Sequence, residues 1–309
     1  MTISEHVTDF YGKPVIPFQP GEPIDAANAL RIAIDYDEQQ EGKRLSDLLE
    51  ALLDTPGSVH IEALVVGPWD FDSSHDSSNV VAALVQAAPR LPKLAAIFLG
   101  EITFDEQEIS WIQQSDVAPL LAAYPRLREL RVRGGGGLRF SSLAHAELKH
   151  LVIEAGGLPR EVVHAVGGAD LPELDHLELW LGTDNYGGDA KVADLGSILD
   201  GSRFPKLRYL GLRNAQIADA VAAAVAAAPI LSRLRVVDLS LGVLGDEGGN
   251  ALLGNGQVVS GLERLDLHHH YISPDVQTKL AALRPVMVDL HDAKHGTDDD
   301  EHRYCAVSE

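Results

Sequence analysis

"LDHLELWLG", Leu174–Gly182, and "LRYLGLRN", Leu207–Asn214, share one spacing, L-x-x-L-x-L. The same spacing returns in "LAAIFLG" from Leu94, "LRELRVRG" from Leu127, "LKHLVIEAG" from Leu148, "LRVVDLSLG" from Leu234 and "LERLDLHHH" from Leu262, with Ile or Val sometimes replacing Leu. Weaker copies begin at Ile61 ("IEALVVG") and near Pro285 ("PVMVDLH"), and "ALRIAID", Ala29–Asp35, reads as a first, irregular strand. The unit recurs about every 21 to 33 residues. Alternation at its centre is a strand signal, with the leucines on one face.

Between these strands the sequence predicts helices at Leu45–Asp54, Asn79–Ala88, Val117–Tyr124, Arg160–Val166, Val192–Asp200, Ala218–Ala228 and Pro274–Leu283. Ser115 and Asp116 precede one of them, and Ser273-Pro274 sets an N-cap and a first-turn proline for the last. A unit this short cannot bury its own apolar face, so stacking must do so. Successive strands then pair in parallel and successive helices line the outside. The expected fold is an α/β solenoid with a curved parallel sheet on its concave side and helices on its convex side.

This pattern resembles the leucine-rich repeat. "LSLGVLGDEGGNALL", Leu239–Leu253, and "LDLHHHYISPDVQTKLAAL", Leu265–Leu283, are similar to repeats of the ribonuclease-inhibitor type. The whole chain also resembles a family of bacterial cytosolic leucine-rich-repeat proteins with no established activity, so the resemblance implies fold and no chemistry. One departure stands out. The slot that holds Asn or Cys in the family pattern is occupied by Gly135, Gly156, Gly182, Ala215, Gly242 and His270. The usual polar ladder is therefore largely missing, and glycine is expected to permit positive φ in these turns.

The expected organisation is an N-terminal extension over 1–24, a repeat domain over 25–292 of about nine to ten turns with 25–60 as its cap, and an acidic tail or cap over 293–309. In that last segment, "RYCAV" is placed to add an edge strand or cover the last repeat. At 309 residues and 45% hydrophobic the chain can bury a continuous core. Its net charge of −21 argues against nucleic acid and anionic membranes and leaves basic partners open. Cys305 is the single cysteine, which suits a reducing cytoplasm and excludes a disulfide framework. No apolar run reaches the length of a membrane span.

Since the leucines point inward, repeat positions three, five and seven face the concave surface. The map has an apolar N-terminal zone, a mixed middle zone and a C-terminal Asp and His patch. The middle zone is the expected protein-contact surface: Trp180, Tyr209, Arg213, Arg131, Arg133, Glu178 and His176, rich in the aromatic and Arg side chains that dominate interface hot spots. The competing expectation is that these groups satisfy one another, Arg131 with Glu129 or Glu154 and Glu178 with a neighbouring His or Arg. In the C-terminal patch, Asp266, His268, Asp289 and His291 would form a small rectangle, a donor set suited to zinc or another transition metal; a self-neutralising network is the expected alternative.

Other motifs carry less. "WDFDSSHDSSN", Trp69–Asn79, alternates acids like half a calcium loop, but His75 stands where glycine is required and Val81 where the bidentate glutamate belongs. It reads as a helix-capping loop with exposed Trp69 and Phe71 as a partner contact. "RVRGGGGLRF", Arg131–Phe140, lacks the G-K-[ST] of a phosphate loop and reads as a tight connection. No G-x-S-x-G or H-E-x-x-H motif is present. The expected function is a non-enzymatic, cytoplasmic scaffold or recognition module for a protein partner, without cofactor. The alternatives are a metal-dependent, hydrolytic protein built on the Asp and His patch, and a structural subunit of a larger assembly.

Overall fold

The computed structural model describes residues 3–72, 74–294 and 303–308. Among these residues twelve strands form one sheet in chain order. They are β1 (Asp9–Phe10), β2 (Lys13–Pro17), β3 (Ala29–Ile32), β4 (Ala63–Val66), β5 (Ala96–Leu99), β6 (Glu129–Arg133), β7 (His150–Glu154), β8 (His176–Gly182), β9 (Tyr209–Ala215), β10 (Val236–Asp238), β11 (Arg264–Asp266) and β12 (Met287–Asp289). β1 and β2 pair antiparallel, and every pairing from β2 to β12 is parallel. The repeats pair in step: Leu177 lies opposite Leu210, Leu210 opposite Val237, and Leu265 opposite Val288.

That register lines up the leucines into one core between sheet and helices. Leu174, Leu177, Leu179, Leu207, Leu210 and Leu265 are fully buried, each stabilising by about 2 kcal/mol. On the convex side lie helices Leu45–Asp54, Ser78–Ala87, Ala118–Ala123, Arg160–Gly167, Ala218–Ala227, Asp246–Gly254 and Pro274–Ala281. Where the sequence pattern predicts a helix at Val192–Asp200, a 3₁₀ turn (Val192–Leu195) runs into one short α turn (Gly196–Leu199). The later helices pack closely: a Cβ on Gly249 would sit 2.8 Å from Val276 Cγ1, and one on Gly248 3.0 Å from Asp219 Cα. No described helix is long and apolar enough to cross a membrane.

The turns after the strands differ from expectation. Of the glycines in the Asn-type slot only Gly182 has positive φ; the left-handed residue is usually the one before, as at Gly134, Asn214, Leu241, His269 and Asp292. At Gly135 and Gly242 close approach, not φ, is what excludes a side chain, and at Gly182 both act. A Cβ would lie 2.4 Å from Gly157 O at Gly135, 2.0 Å from Gly156 O at Gly182 and 2.7 Å from Ala215 O at Gly242. His270 does the work of the missing asparagine, its Nε2 donating to Leu290 O (3.1 Å) and its Nδ1 accepting from Ile272 N (3.1 Å).

The described residues near both termini pack on the solenoid. Phe10 packs on Phe98 with ring centroids 5.9 Å apart, covering the apolar zone of the concave face formed with Ala63, Val65 and Ala96. Arg31 and His6 meet there on buried Glu101, at 2.6 and 3.0 Å. Residues 303–308 add no strand at the sheet edge. They run back across the turns: Tyr304 O meets His269 Nε2 (3.2 Å), Ala306 N donates to Leu241 O (2.7 Å), and Val307 is bonded to Asn214. Ser308 O then occupies the space where Gly156 would carry a Cβ. Cys305, Ala306 and Val307 are buried by this strap, which needs the turns as backbone partners and so cannot lie on the edge of β12. The rest of the acidic tail, 295–302 and 309, lies outside the described residues.

Candidate functional site on the concave face

Parallel strands in register sit about 4.8 Å apart, so equivalent side chains of neighbouring repeats stack. His176 and Tyr209 do so at 3.8 Å with 7° between their planes, and His150 tilts against His176 at 5.2 Å. The three rings form a ladder across β7, β8 and β9 at repeat position three. Their faces are partly accessible, whereas positions five and seven form a buried, charged floor.

Glu178 is the centre of that floor. It is 7% exposed and accepts from Trp180 Nε1 (2.6 Å) and Arg213 Nη1 (2.8 Å), with Tyr209 OH at 3.2 Å and His176 Nε2 at 3.6 Å. Burial alone would raise its pKa; the donors His176, Arg213 and Trp180 outweigh it and hold the carboxyl well below the usual glutamate range. Tyr209 OH donates to Asp238 Oδ2 (2.8 Å), and burial with the two adjacent carboxylates pushes the phenol far up. Arg213 Nε reaches Ser240 Oγ (2.9 Å) while its guanidinium carbon lies 5.2 Å from the centre of the Trp180 ring. Burial pushes the Asp238 carboxyl above its ordinary value, and Arg213 only partly offsets this.

A second knot lies beside it. Fully buried Glu154 accepts from Arg131 Nε (2.7 Å) and Arg133 Nε (2.6 Å), and Arg133 donates to Ile102 O (2.6 Å). Burial favours the neutral acid, but the two guanidiniums hold Glu154 ionised. Of the expected contact residues, the structure therefore brings Trp180, Tyr209, Arg213, Glu178 and His176 into one network and places Arg131 and Arg133 in the neighbouring one. Trp180 and Arg133 are buried, at 6% and 2% exposure. His150, Glu154, Asp238 and Ser240 complete the arrangement; each occupies position three, five or seven of the same repeat, which is the signal that locates them.

At the C-terminal end the strand register is the one the repeats imply, Asp266 opposite Asp289. His268 and His291 stack at 4.7 Å and 6°. Each imidazole Nδ1 is taken by its own strand's carboxylate, His268 by Asp266 (2.7 Å) and His291 by Asp289 (2.6 Å). Arg264 Nη2 bridges the remaining oxygens of Asp266 (2.7 Å) and Asp289 (2.9 Å). Among the described residues no group of three or more His, Cys, Asp or Glu is arranged to hold a metal ion. The rectangle is present, with a guanidinium spanning its carboxylates. Cys305 is buried, and burial pushes its thiol up to about 12, far from the thiolate a nucleophile requires.

Repeats of L-x-x-L-x-L stacked into a curved parallel sheet with helical returns define a leucine-rich-repeat solenoid. The chain belongs to the same family as a Bacteroides fragilis protein of known crystal structure, with 30% sequence identity over 90% of this chain and 77% of that one and a TM-score of 0.83. An internalin from Listeria monocytogenes (15% identity, 78% of this chain and 56% of that one, TM-score 0.40) and a leucine-rich-repeat protein from Leptospira interrogans (14%, 75% and 55%, TM-score 0.31) are too distant in shape to add to this. No protein-family model matches the chain, and no curated protein matches it.

Proposed function

We propose that this protein is a non-enzymatic recognition module that binds a protein partner on its concave face. The observation that carries this reading is the ladder of His150, His176 and Tyr209, half-buried rings fixed in place by the Glu178 and Asp238 floor beneath them. Rigid aromatic groups lose little conformational entropy on binding and dominate interface energetics. Arg131 and Arg213 contribute at the margins of the ladder; Trp180, Glu178 and Arg133 act from below by holding it. The surrounding carboxylates and the net charge of −21 favour a partner with a basic surface.

Residues 25–292 are the repeat domain in this reading, with 1–24 as its N-terminal extension, of which Phe10 covers the concave face, and 293–309 as its tail or cap, of which 303–308 lie across the turns. The last two repeats, Leu239–Leu253 and Leu265–Leu283, are of the ribonuclease-inhibitor type, on the strength of the helices they carry. The single, buried cysteine supports a reducing compartment.

The test uses groups that reach solvent. The protein and a His150→Glu/His176→Glu/Arg264→Glu variant are immobilised side by side, and captured proteins are compared after both show the same thermal unfolding. A partner retained by the protein and lost by the variant supports the concave face; equal retention refutes it.

A further inference from the structure

On the opposite side of the sheet, between helices Leu45–Asp54 and Ser78–Ala87, the convex layer opens. Around helix Asp246–Gly254 the neighbouring helices approach until only glycine fits, at Gly248 and Gly249. Here a cavity of about 410 Å³ separates them, within the range of small-molecule sites and unlike the sub-water voids of an ordinary core. Ile32, Leu45, Leu49, Val80 and Leu84 make its walls apolar.

The loop after β4 forms its lip, and that lip is tied down. Gln39 donates from Nε2 to Asp70 Oδ1 (2.6 Å) and accepts at Oε1 from Phe71 N (2.8 Å), while His75 Nδ1 meets Asp70 Oδ2 (2.8 Å). The mouth is therefore preorganised. Trp69, read from the sequence as exposed, is 8% exposed and lines the cavity. Its indole N–H has no hydrogen-bond partner among the described residues, in contrast to Trp180, whose N–H is taken by Glu178. The Trp69 N–H is not a buried atom left unpaired, so this edge of the ring opens onto the cavity. Acids outnumber bases at the mouth: Asp70 is paired with His75, Arg44 lines the same opening as Asp70, Asp72 and Asp76, and Arg139 acts on Asp76.

We propose that this cavity binds a small amphipathic amine, its apolar body between the two helices against Trp69 and its ammonium at the Asp72 and Asp76 lip. The ring face of Trp69 suits a cation as well as an apolar group, and the carboxylates reject an anion of the same shape. The site is independent of the concave face, so its failure leaves the recognition reading untouched.

Isothermal titration of the full chain with 4-phenylbutylamine, 4-phenylbutanol and 4-phenylbutyrate tests it. The amine is expected to bind saturably at one site, the alcohol about five-fold or more weaker, and the carboxylate not at all, as two lip carboxylates and one ring face would give. Asp72→Asn/Asp76→Asn keeps the backbone bonds these side chains accept from Ser74 N and Ser78 N and should bring amine and alcohol to equal affinity. Ala83→Phe fills the cavity and should abolish binding of both, with Ala83→Leu as the smaller replacement if the former does not fold. Absence of saturable binding by the amine, equal binding of the carboxylate, or binding that survives the filled cavity each overturns the proposal.

Discussion

Asn214 grips Val307 by both of its backbone groups: Asn214 Oδ1 accepts from Val307 N at 3.0 Å, and Asn214 Nδ2 donates to Val307 O. The two residues are 93 positions apart. Asn214 itself has φ +53, a conformation that asparagine tolerates better than most side chains.

Asn214→Ala removes both bonds and leaves an alanine in left-handed geometry. The expected loss is about 2 to 4 kcal/mol, from these two hydrogen bonds and the longer one to Ala155 O (3.3 Å), near 1 kcal/mol each, and the backbone strain, measured by urea unfolding. Cys305, two residues away in the strap, should then react with a thiol reagent at a rate the unaltered protein does not approach. An unchanged thiol rate would show that the strap is held by its apolar contacts and its bonds to Leu241, His269 and Tyr271.

Glu178→Gln should destabilise by about 3 kcal/mol at pH 7, because it leaves Arg213 buried with an incomplete set of partners. The folded pKa of Glu178 lies below the value of about 4.3 for a free glutamate. Its stabilisation is therefore complete above that pH and is lost as pH falls below it. The difference between protein and variant should shrink from pH 5 to pH 3 in denaturant titrations. Asp238 carries the opposite sign, being raised by burial, so Asp238→Asn should cost less than Glu178→Gln at pH 7.

Glycines divide into two groups by what surrounds them. Gly182→Ala would drive a methyl to 2.0 Å from Gly156 O, and this backbone has no flexible end to yield. The variant should unfold far below the temperature of the unaltered protein. Gly196→Ala, where nothing lies within 4 Å and the backbone is helical, should gain about 0.5 to 1 kcal/mol. Calorimetry on the pair reads both signs.

Glu129 sits 3.3 Å from His150 Nδ1, and this hydrogen bond raises the histidine above its ordinary pKa. By NMR titration His150 should lose its proton at a higher pH than a free imidazole, and Glu129→Gln should move it back toward about 6.5. Whatever stability this pair contributes is present below that value and lost as pH rises through the folded one.

The strands were legible because a period of two inside a period of 21 to 33 residues leaves one register for the leucines. The same arithmetic places Asp266 opposite Asp289 and His268 beside His291. What it cannot carry is contact between residues far apart in sequence. Trp180 is on the outward face of its strand, yet Glu178 and Arg213 close over it. Trp69 looked like a loop residue, but its loop folds down over two helices. The slot glycines suggested turn conformation, whereas their role is to let neighbouring backbones touch.

Val307 also reaches the segment after β5, where it shares a small crevice with Ile3, Phe104 and Ile109. In an open stack of repeats each unit contacts only its neighbours, and either end can fray alone. Here residues 303–308 dock on turns assembled after β7, β9, β10 and β11 and on the segment after β5, so their arrival reports that this stretch of repeats is in place. A stack that would otherwise behave as a zipper is clasped across its middle and later repeats, slower to close because Asn214 and Val307 are 93 positions apart, and these repeats open only by undoing the clasp.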